Sequence, residues 1–220
     1  MELENIRMHL AELKKDLAPA DLLVVSKYRE VKHIKAVYDA GQRLFAENRV
    51  LALLERVDTF PKDIQWHLIG HLQSNKVKYI VPFIHTIHSV DSEKLLDAIN
   101  NEAAKKDKTI RVLLQLRVAK EDTKYGWETA SLMKFAEGFA QEFYTHIEFA
   151  GIMAMATNTD DKEQITAEFK EAKSIYNKLK PTFGKTFTQL SMGMSGDAKE
   201  AVECGSTVVR IGSGVFDALA

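Results

Sequence analysis

Leu22-Leu23-Val24-Val25-Ser26-Lys27 is four apolar residues without a break, then a small hydroxyl residue, then a lysine. A continuous apolar run of this length reads as a strand buried on both faces, as in a parallel sheet. Its C-terminal end places Lys27 at the mouth of whatever the sheet encloses. Partial desolvation there favours the neutral amine, which attacks carbonyl carbon and forms a Schiff base. A lysine that merely reaches solvent at a strand end is the plainer reading of this stretch by itself, so the rest of the chain must decide.

Outward from that run, helical and extended patterns alternate. Leu3, Ile6, Leu10, Leu13 and Leu17 form one apolar helix face that precedes it and ends at Pro19. Val31, Ile34, Val37 and Tyr38 mark a second helix, closed by Gly41. Leu44–Phe45 is a short strand and Asn48 to Val57 a helix. Ile64 to Ile69 is a third strand, Gln73 to Tyr79 a short helix, and Phe83 to Val90 a fourth strand. Asp91 is the expected N-cap of a helix with Leu95, Ile99 and Ala103 on one face. Ile110 to Val118 is the fifth strand, and a polar loop runs from it to Gly126. Leu132, Phe135, Ala136, Phe139 and Phe143 make the next helical stripe, and Phe149 to Met155 the sixth strand. The stripe Ile165, Phe169, Ala172, Tyr176 and Leu179 is ended by Pro181 and Gly184. Thr186 to Leu190, a helix over Asp197 to Cys204, and Thr207 to Ile211 complete the series.

Eight strands alternating with helices imply a parallel sheet with helical crossovers, and eight such units close into a (β/α)₈ (TIM) barrel. An extra helix stands in front. An open doubly wound sheet is the weaker alternative, because Ser26-Lys27-Tyr28-Arg29-Glu30 lacks the glycine-rich first turn of that class. The 220 residues are expected to form one domain, 1–220. A net charge of −1 from 30 basic and 31 acidic residues leaves no electrostatic footprint for nucleic acid or an anionic membrane. Cys204 is the only cysteine, which excludes an intrachain disulfide, and it reads as a lone buried thiol. No stretch is long and apolar enough to span a membrane, and the Met-Glu-Leu-Glu-Asn start is not a signal sequence. A soluble, cytoplasmic monomer is the expectation.

Barrel sites form at the C-terminal ends of the strands, and phosphate often sits in the loops after strands seven and eight. Six of the eleven glycines lie from Gly184 onward. The two loops read Ser191-Met192-Gly193-Met194-Ser195-Gly196-Asp197 and Arg210-Ile211-Gly212-Ser213-Gly214. Glycine lets backbone N–H groups approach an oxyanion, and Ser191, Ser195 and Ser213 add hydroxyl donors. Arg210, at a strand end, faces either a carboxylate, a phosphate or a ring nitrogen. Barrel closure makes these loops neighbours of Lys27. A ligand with both an aldehyde and a phosphate satisfies all three, and pyridoxal 5′-phosphate (PLP) is that molecule.

The chain also resembles the pyridoxal-phosphate homeostasis proteins, or PLP-binding proteins, over nearly its whole length. The matching segments are Val25-Ser26-Lys27, Phe45-Ala46-Glu47-Asn48, Trp66 to Lys76, Gly151-Ile152-Met153-Ala154, Leu190 to Ser195 and Val209-Arg210-Ile211-Gly212-Ser213. The resemblance implies a single barrel similar to the N-terminal domain of alanine racemases, of the fold-type III kind. It implies that Lys27 carries PLP as an internal aldimine. It also implies that Asn48 and Met192 line the cofactor, that Arg210 faces the pyridine nitrogen, and that Ser191, Gly212 and Ser213 help hold the phosphate. Three residues depart from the family pattern: Ala46 replaces a glycine, Asp217 replaces a glycine near the end, and Arg117 replaces a common asparagine. Arg117 is expected to narrow the mouth or to pair with Glu47.

Other groups invite functional readings. His67 and His71 flank a strand end and turn and need not share a face. His85 and His88, three apart on a strand, are expected on opposite faces. The run Asp160-Asp161-Lys162-Glu163 reads as a solvated first helical turn, and Lys124 as an anion attractor at the mouth. A racemase needs a base on each face of the substrate and closure against water, usually from a second domain. One barrel is expected to consume this whole chain, so the leading expectation is a PLP carrier, not an enzyme, that buffers the aldehyde and supplies apo-enzymes. The alternatives are a small PLP enzyme such as an amino-acid racemase, and a Schiff-base aldolase acting on a sugar phosphate.

Overall fold

Strand residues alternate in direction, and in this chain both directions are covered, which is why the strands read as apolar runs. The computed structural model describes residues 3–119 and 125–217. Its strands are β1 (Asp21–Val25), β2 (Leu44–Glu47), β3 (Gln65–Leu68), β4 (Thr86–Val90), β5 (Ile110–Leu116), β6 (Ile147–Ala154), β7 (Gln189–Ser191) and β8 (Val208–Ile211). All pairings are parallel, in sequence order, and β8 returns to β1 from Asp21↔Val208 to Val24↔Ile211. The eight strands therefore form a closed (β/α)₈ barrel.

The helices among the described residues are α1 (Leu3–Leu17), α2 (Val31–Asp39), α3 (Val50–Val57), α4 (Val77–Ile80), α5 (Glu93–Ala104), α6 (Thr129–Glu137), α7 (Lys162–Phe183), α8 (Ala198–Glu203) and α9 (Ser213–Phe216). Outward residues such as Val24, Phe45, Trp66, Ile87, Leu114, Ile152 and Val209 pack with the helix faces in one continuous core. The inward residues divide differently. Leu23, Val25, Ala46 and Val208 form one small apolar cluster, and Leu113, Ala150 and Met153 another. By strand order, the space between them belongs to β3, β4, β7 and the end of β8. There the inward groups are polar and buried: His67, His88, Ser191 and Arg210.

Several boundaries differ from the sequence reading. Strand β2 continues to Glu47 and α3 starts only at Val50, so Asn48 lies in the loop between them. Ser92, not Asp91, caps α5: its hydroxyl accepts the Leu95 N–H, while the Asp91 carboxylate is taken by His71 and Ser92. Helix α6 stops at Glu137, which leaves Phe139 and Phe143 beyond it. Helix α7 runs through Pro181 to Phe183. A proline in the last turn forfeits little, and buried Phe183 packs 4.7 Å from Phe139 and 4.8 Å from Phe149. Strand β7 starts at Gln189 rather than Thr186, and α9 stands where only a glycine loop was expected.

Gly151 makes one strand pairing possible. It lies at the register shift of β6 against β5, and a Cβ there would fall 1.7 Å from the Gln189 carbonyl oxygen on β7.

Candidate cofactor-binding site

The C-terminal ends of β1, β2, β3, β6, β7 and β8 surround a cavity of about 570 Å³. Lys27, Tyr28 and Arg29, directly after β1, form one wall. Lys27 is exposed at the mouth rather than desolvated. The residue before it is fixed: the buried Ser26 hydroxyl donates to Glu47 Oε1 at 2.7 Å. Burial pushes the Glu47 carboxyl pKa up, and the Ser26 hydrogen bond and the nearby Arg56 guanidinium oppose that shift. Arg56 also donates to the Arg29 carbonyl at 2.7 Å, so one clamp holds both ends of the Lys27 turn. Within the turn, Tyr28 takes a left-handed φ of 62°, an uncommon conformation for a bulky residue. Arg29 is tied to the chain's far end, with Asp217 at 2.9 Å.

Asn48 and Ile69 make the next wall. They meet because residue 70 has no side chain: a Cβ on Gly70 would lie 2.1 Å from the Asn48 carbonyl oxygen. Met155, after β6, lies opposite.

The loops after β7 and β8 form a cradle. Ser195, Gly196, Gly212 and Ser213 line the cavity, and the Ser195 and Ser213 hydroxyls are 3.0 Å apart. Asp197 turns the first loop by accepting the Met194 N–H at 2.6 Å. In the second loop the Val215 and Phe216 N–H groups return to the Gly212 carbonyl, so α9 presents the N–H groups of Ser213 and Gly214 at its start. The ring of His9 on α1 reaches the Gly214 carbonyl at 2.8 Å and braces the cradle from behind.

Arg210 lines the cavity although it is only 3% exposed. Burial lowers its pKa to about 10, which leaves it charged at neutral pH. Its Nη1 donates to the Ser191 carbonyl and hydroxyl, both at 2.7 Å, and its Nη2 to the Ala154 carbonyl at 3.0 Å.

Of the seven residues expected at a cofactor, five line this cavity: Lys27, Asn48, Arg210, Gly212 and Ser213. Ser191 and Met192 do not. The Ser191 hydroxyl is inside the barrel, occupied by Arg210 and His88. Met192 packs in the outer core, and its N–H goes to Val208 and Ser206. Period-two alternation explains both: Ser191 follows the inward face of β7 to its end, and the next residue turns outward. Tyr28, Arg29, Ile69, Met155 and Met194 were not anticipated. A signal existed for the first two, which follow Lys27 directly.

Arg117 pairs with Glu128 in the loop after its own strand, not with Glu47. Glu47 is held by Ser26 on a neighbouring strand. Asp217 serves the closure by pairing with Arg29. Asp161 caps α7, accepting the N–H groups of Glu163 and Gln164. Lys124 lies outside the described residues. His67 points into the barrel, whereas His71 stacks on Tyr125 outside it at 3.8 Å. His85 and His88 do not part as expected. His85 precedes β4, and both rings lie within 5.2 Å of the His67 ring.

The donor set suits a ligand with three features. An exposed amine meets an electrophilic carbon, a hydroxyl-and-N–H cradle meets an oxyanion, and a guanidinium with no carboxylate among its hydrogen-bond partners meets a neutral acceptor. PLP carries an aldehyde, a phosphate and a ring nitrogen, and the residues present fit it.

The family model for the alanine racemase N-terminal domain matches residues 1–219. A relative from Pasteurella multocida, called pyridoxal phosphate homeostasis protein, is 32% identical over 98% of this chain and 93% of its own length. PipY of Synechococcus elongatus PCC7942, solved with PLP bound, superposes with a TM-score of 0.84 at 33% identity, covering 96% of this chain and 99% of PipY. Alanine racemase from Bartonella henselae shares the fold, with a TM-score of 0.75 at 16% identity over 98% of this chain and 59% of the racemase.

Proposed function

This chain belongs to the alanine racemase N-terminal domain family and, within it, to the pyridoxal phosphate homeostasis proteins, and from that membership we propose that its cavity holds PLP on Lys27, buffering the free aldehyde and supplying apo-enzymes. One observation carries this reading. A lysine amine, a two-loop serine and glycine cradle and a buried guanidinium with no carboxylate among its hydrogen-bond partners share the wall of one cavity. Bound there, PLP would supply an aldehyde, and Lys27 is the amine that would hold it as a Schiff base, with loss of water.

Each residue then has a task. Ser195 and Ser213, with the N–H groups at the start of α9, bind the phosphate. Asn48 lines the cofactor beside Lys27. Arg210 donates to the ring nitrogen. A guanidinium is a poor proton source, so Arg210 leaves that nitrogen unprotonated and weakens the ring as an electron sink. That chemistry supports holding over turnover. The Ser26–Glu47–Arg56 clamp keeps the Lys27 turn in place while the mouth stays open for exchange. Handover to apo-enzymes by a cytoplasmic monomer completes the reading.

The test is spectroscopic and chemical. Protein incubated with PLP is expected to turn yellow, to bleach on borohydride, and then to carry the cofactor's mass on the Lys27 peptide. Lys27→Ala should abolish the label. Label on another lysine, or none, overturns the reading. Clear α-proton exchange of amino acids in deuterated water, lost in Lys27→Ala, would replace the carrier with a small racemase-type enzyme.

A further inference from the structure

Arg210 presents a problem of solvation. A guanidinium this deep is costly unless its donors are met, and no carboxylate is among its hydrogen-bond partners. Three of its five N–H groups go to Ser191 and Ala154. The Nε–H and one N–H on Nη2 remain for the cavity.

Behind Ser191 the polar contacts continue. Ser191 Oγ is 3.2 Å from His88 Nδ1, and His88 Nε2 is 2.8 Å from His67 Nδ1. Ser191, His88 and His67 are all buried. His67 Nε2 has no partner. Neither imidazole touches the cavity. Both stay neutral at neutral pH: burial first, then the neighbouring imidazoles and arginines, hold His67 at about 3 and His88 well below its usual value.

Counting protons fixes the direction of this chain. In one arrangement Arg210 donates to Ser191, Ser191 to His88 Nδ1, and His88 Nε2 to His67 Nδ1, and only the His67 Nε2–H is left unpaired. In the reverse arrangement both imidazoles donate towards Ser191. The Ser191 hydroxyl proton then has no acceptor among its contacts, and the His67 Nε2 lone pair is also orphaned. The first arrangement orphans one buried polar group and the reverse orphans two, so the first wins. It turns a lone pair of every member towards Arg210, which is how neutral groups solvate a buried cation.

We propose that His88 and His67 are positioning residues for cofactor holding: through the Ser191 hydroxyl they fix the Arg210 guanidinium so that its free N–H edge stays aimed at the ring of bound PLP. This rests on the reading of the cavity as a PLP site. It assigns Ser191 a role in holding Arg210, not phosphate. His88 acts through two hydrogen bonds and His67 through three, and neither touches the ligand.

The experiment is a double-mutant cycle read on PLP release rate and on the absorbance band of the bound cofactor. Loss of one charge-assisted hydrogen bond from Arg210 is expected to speed release in Ser191→Ala by about tenfold and to shift the band. His88→Phe should do the same. The double variant should be no worse than either single, because the residues act as one unit. His88→Asn keeps an acceptor near the Nδ1 position and should stay within about twofold of the parent. Additive effects, or a Ser191→Ala protein with the parental rate and band, overturn the proposal. Should His88→Phe fail to fold, Ser191→Ala and His88→Asn decide alone: tenfold loss in the first with retention in the second supports it, and any other pattern overturns it. Parental protein that takes up no PLP overturns both this and the cavity reading. Uptake with unmoved variants overturns this proposal only.

Discussion

Glu47 is the residue on which the Lys27 turn depends. Its carboxyl is buried, accepts the Ser26 hydroxyl at 2.7 Å and lies 3.7 Å from Arg56 Nε, itself buried without a hydrogen-bond partner. Removing the carboxyl takes the nearby anion from the Arg56 guanidinium and leaves the Ser26 hydroxyl only the Ala46 carbonyl, 3.3 Å away. Glu47→Ala should therefore lose about 2–4 kcal/mol in urea denaturation at pH 7, whereas Glu47→Gln keeps an acceptor and should stay within about 1 kcal/mol. A Glu47→Ala protein as stable as the parent would remove the clamp from the account. At this scale the sequence was legible where chemistry is local. Lys27 follows an apolar strand, and Gly212 and Ser213 follow another, so alternation alone sets them at a rim. Ser191, expected at the phosphate, instead faces Arg210 and His88 inside the barrel, and the reason is physical. It ends its strand on the inward face, and whether an inward serine meets a ligand or another side chain depends on β4 and β8, which pairing brings close across 103 and 19 residues. No local pattern reports such a partner.

At the scale of elements, the loop after β3 is held against the loop after β2 by the space Gly70 leaves. Gly70→Ala would push a methyl group into the Asn48 backbone, which has no flexible end to yield. Overpacking of this kind should cost about 1–3 kcal/mol in thermal or urea unfolding, and displacing Asn48 should loosen retained PLP as well. Unchanged stability and retention together would show that the loops can part freely. The alternation of strands and helices was readable because every strand is covered on both faces and the helices carry clear apolar stripes. The shortfalls have distinct causes. Two glycines hid α9, since propensity argues against a helix there. A cluster of phenylalanines carries α7 past Pro181. Asp91 and Ser92 are both good caps, and the choice falls to Ser92 because His71 engages Asp91.

At the scale of the whole molecule, the polar barrel interior sets a limit in acid. His67 is held at about 3 and His88 well below 6.5, the value both regain on unfolding. The folded state therefore refuses protons that the unfolded chain accepts. The contribution to stability is present above pH 6.5 and is lost as pH falls below it, for His67 down towards about 3. Each fully buried imidazole gives a slope of about 1.4 kcal/mol per pH unit in that window. Urea midpoints should fall slightly from pH 7.5 to 6.5 and more steeply from 6.5 to 5.5, and His67→Phe should flatten the fall. A midpoint unchanged down to pH 5 would contradict the burial of these rings. The same interior bears on how the ring of strands comes together. The deeply buried cation Arg210 arrives on β8, while the groups that receive it come from β6 and β7, with β3 and β4 standing behind them. A barrel lacking any of these staves would hold either an unsolvated charge or a row of imidazoles with nothing to serve. Partial assemblies are therefore penalised from both sides.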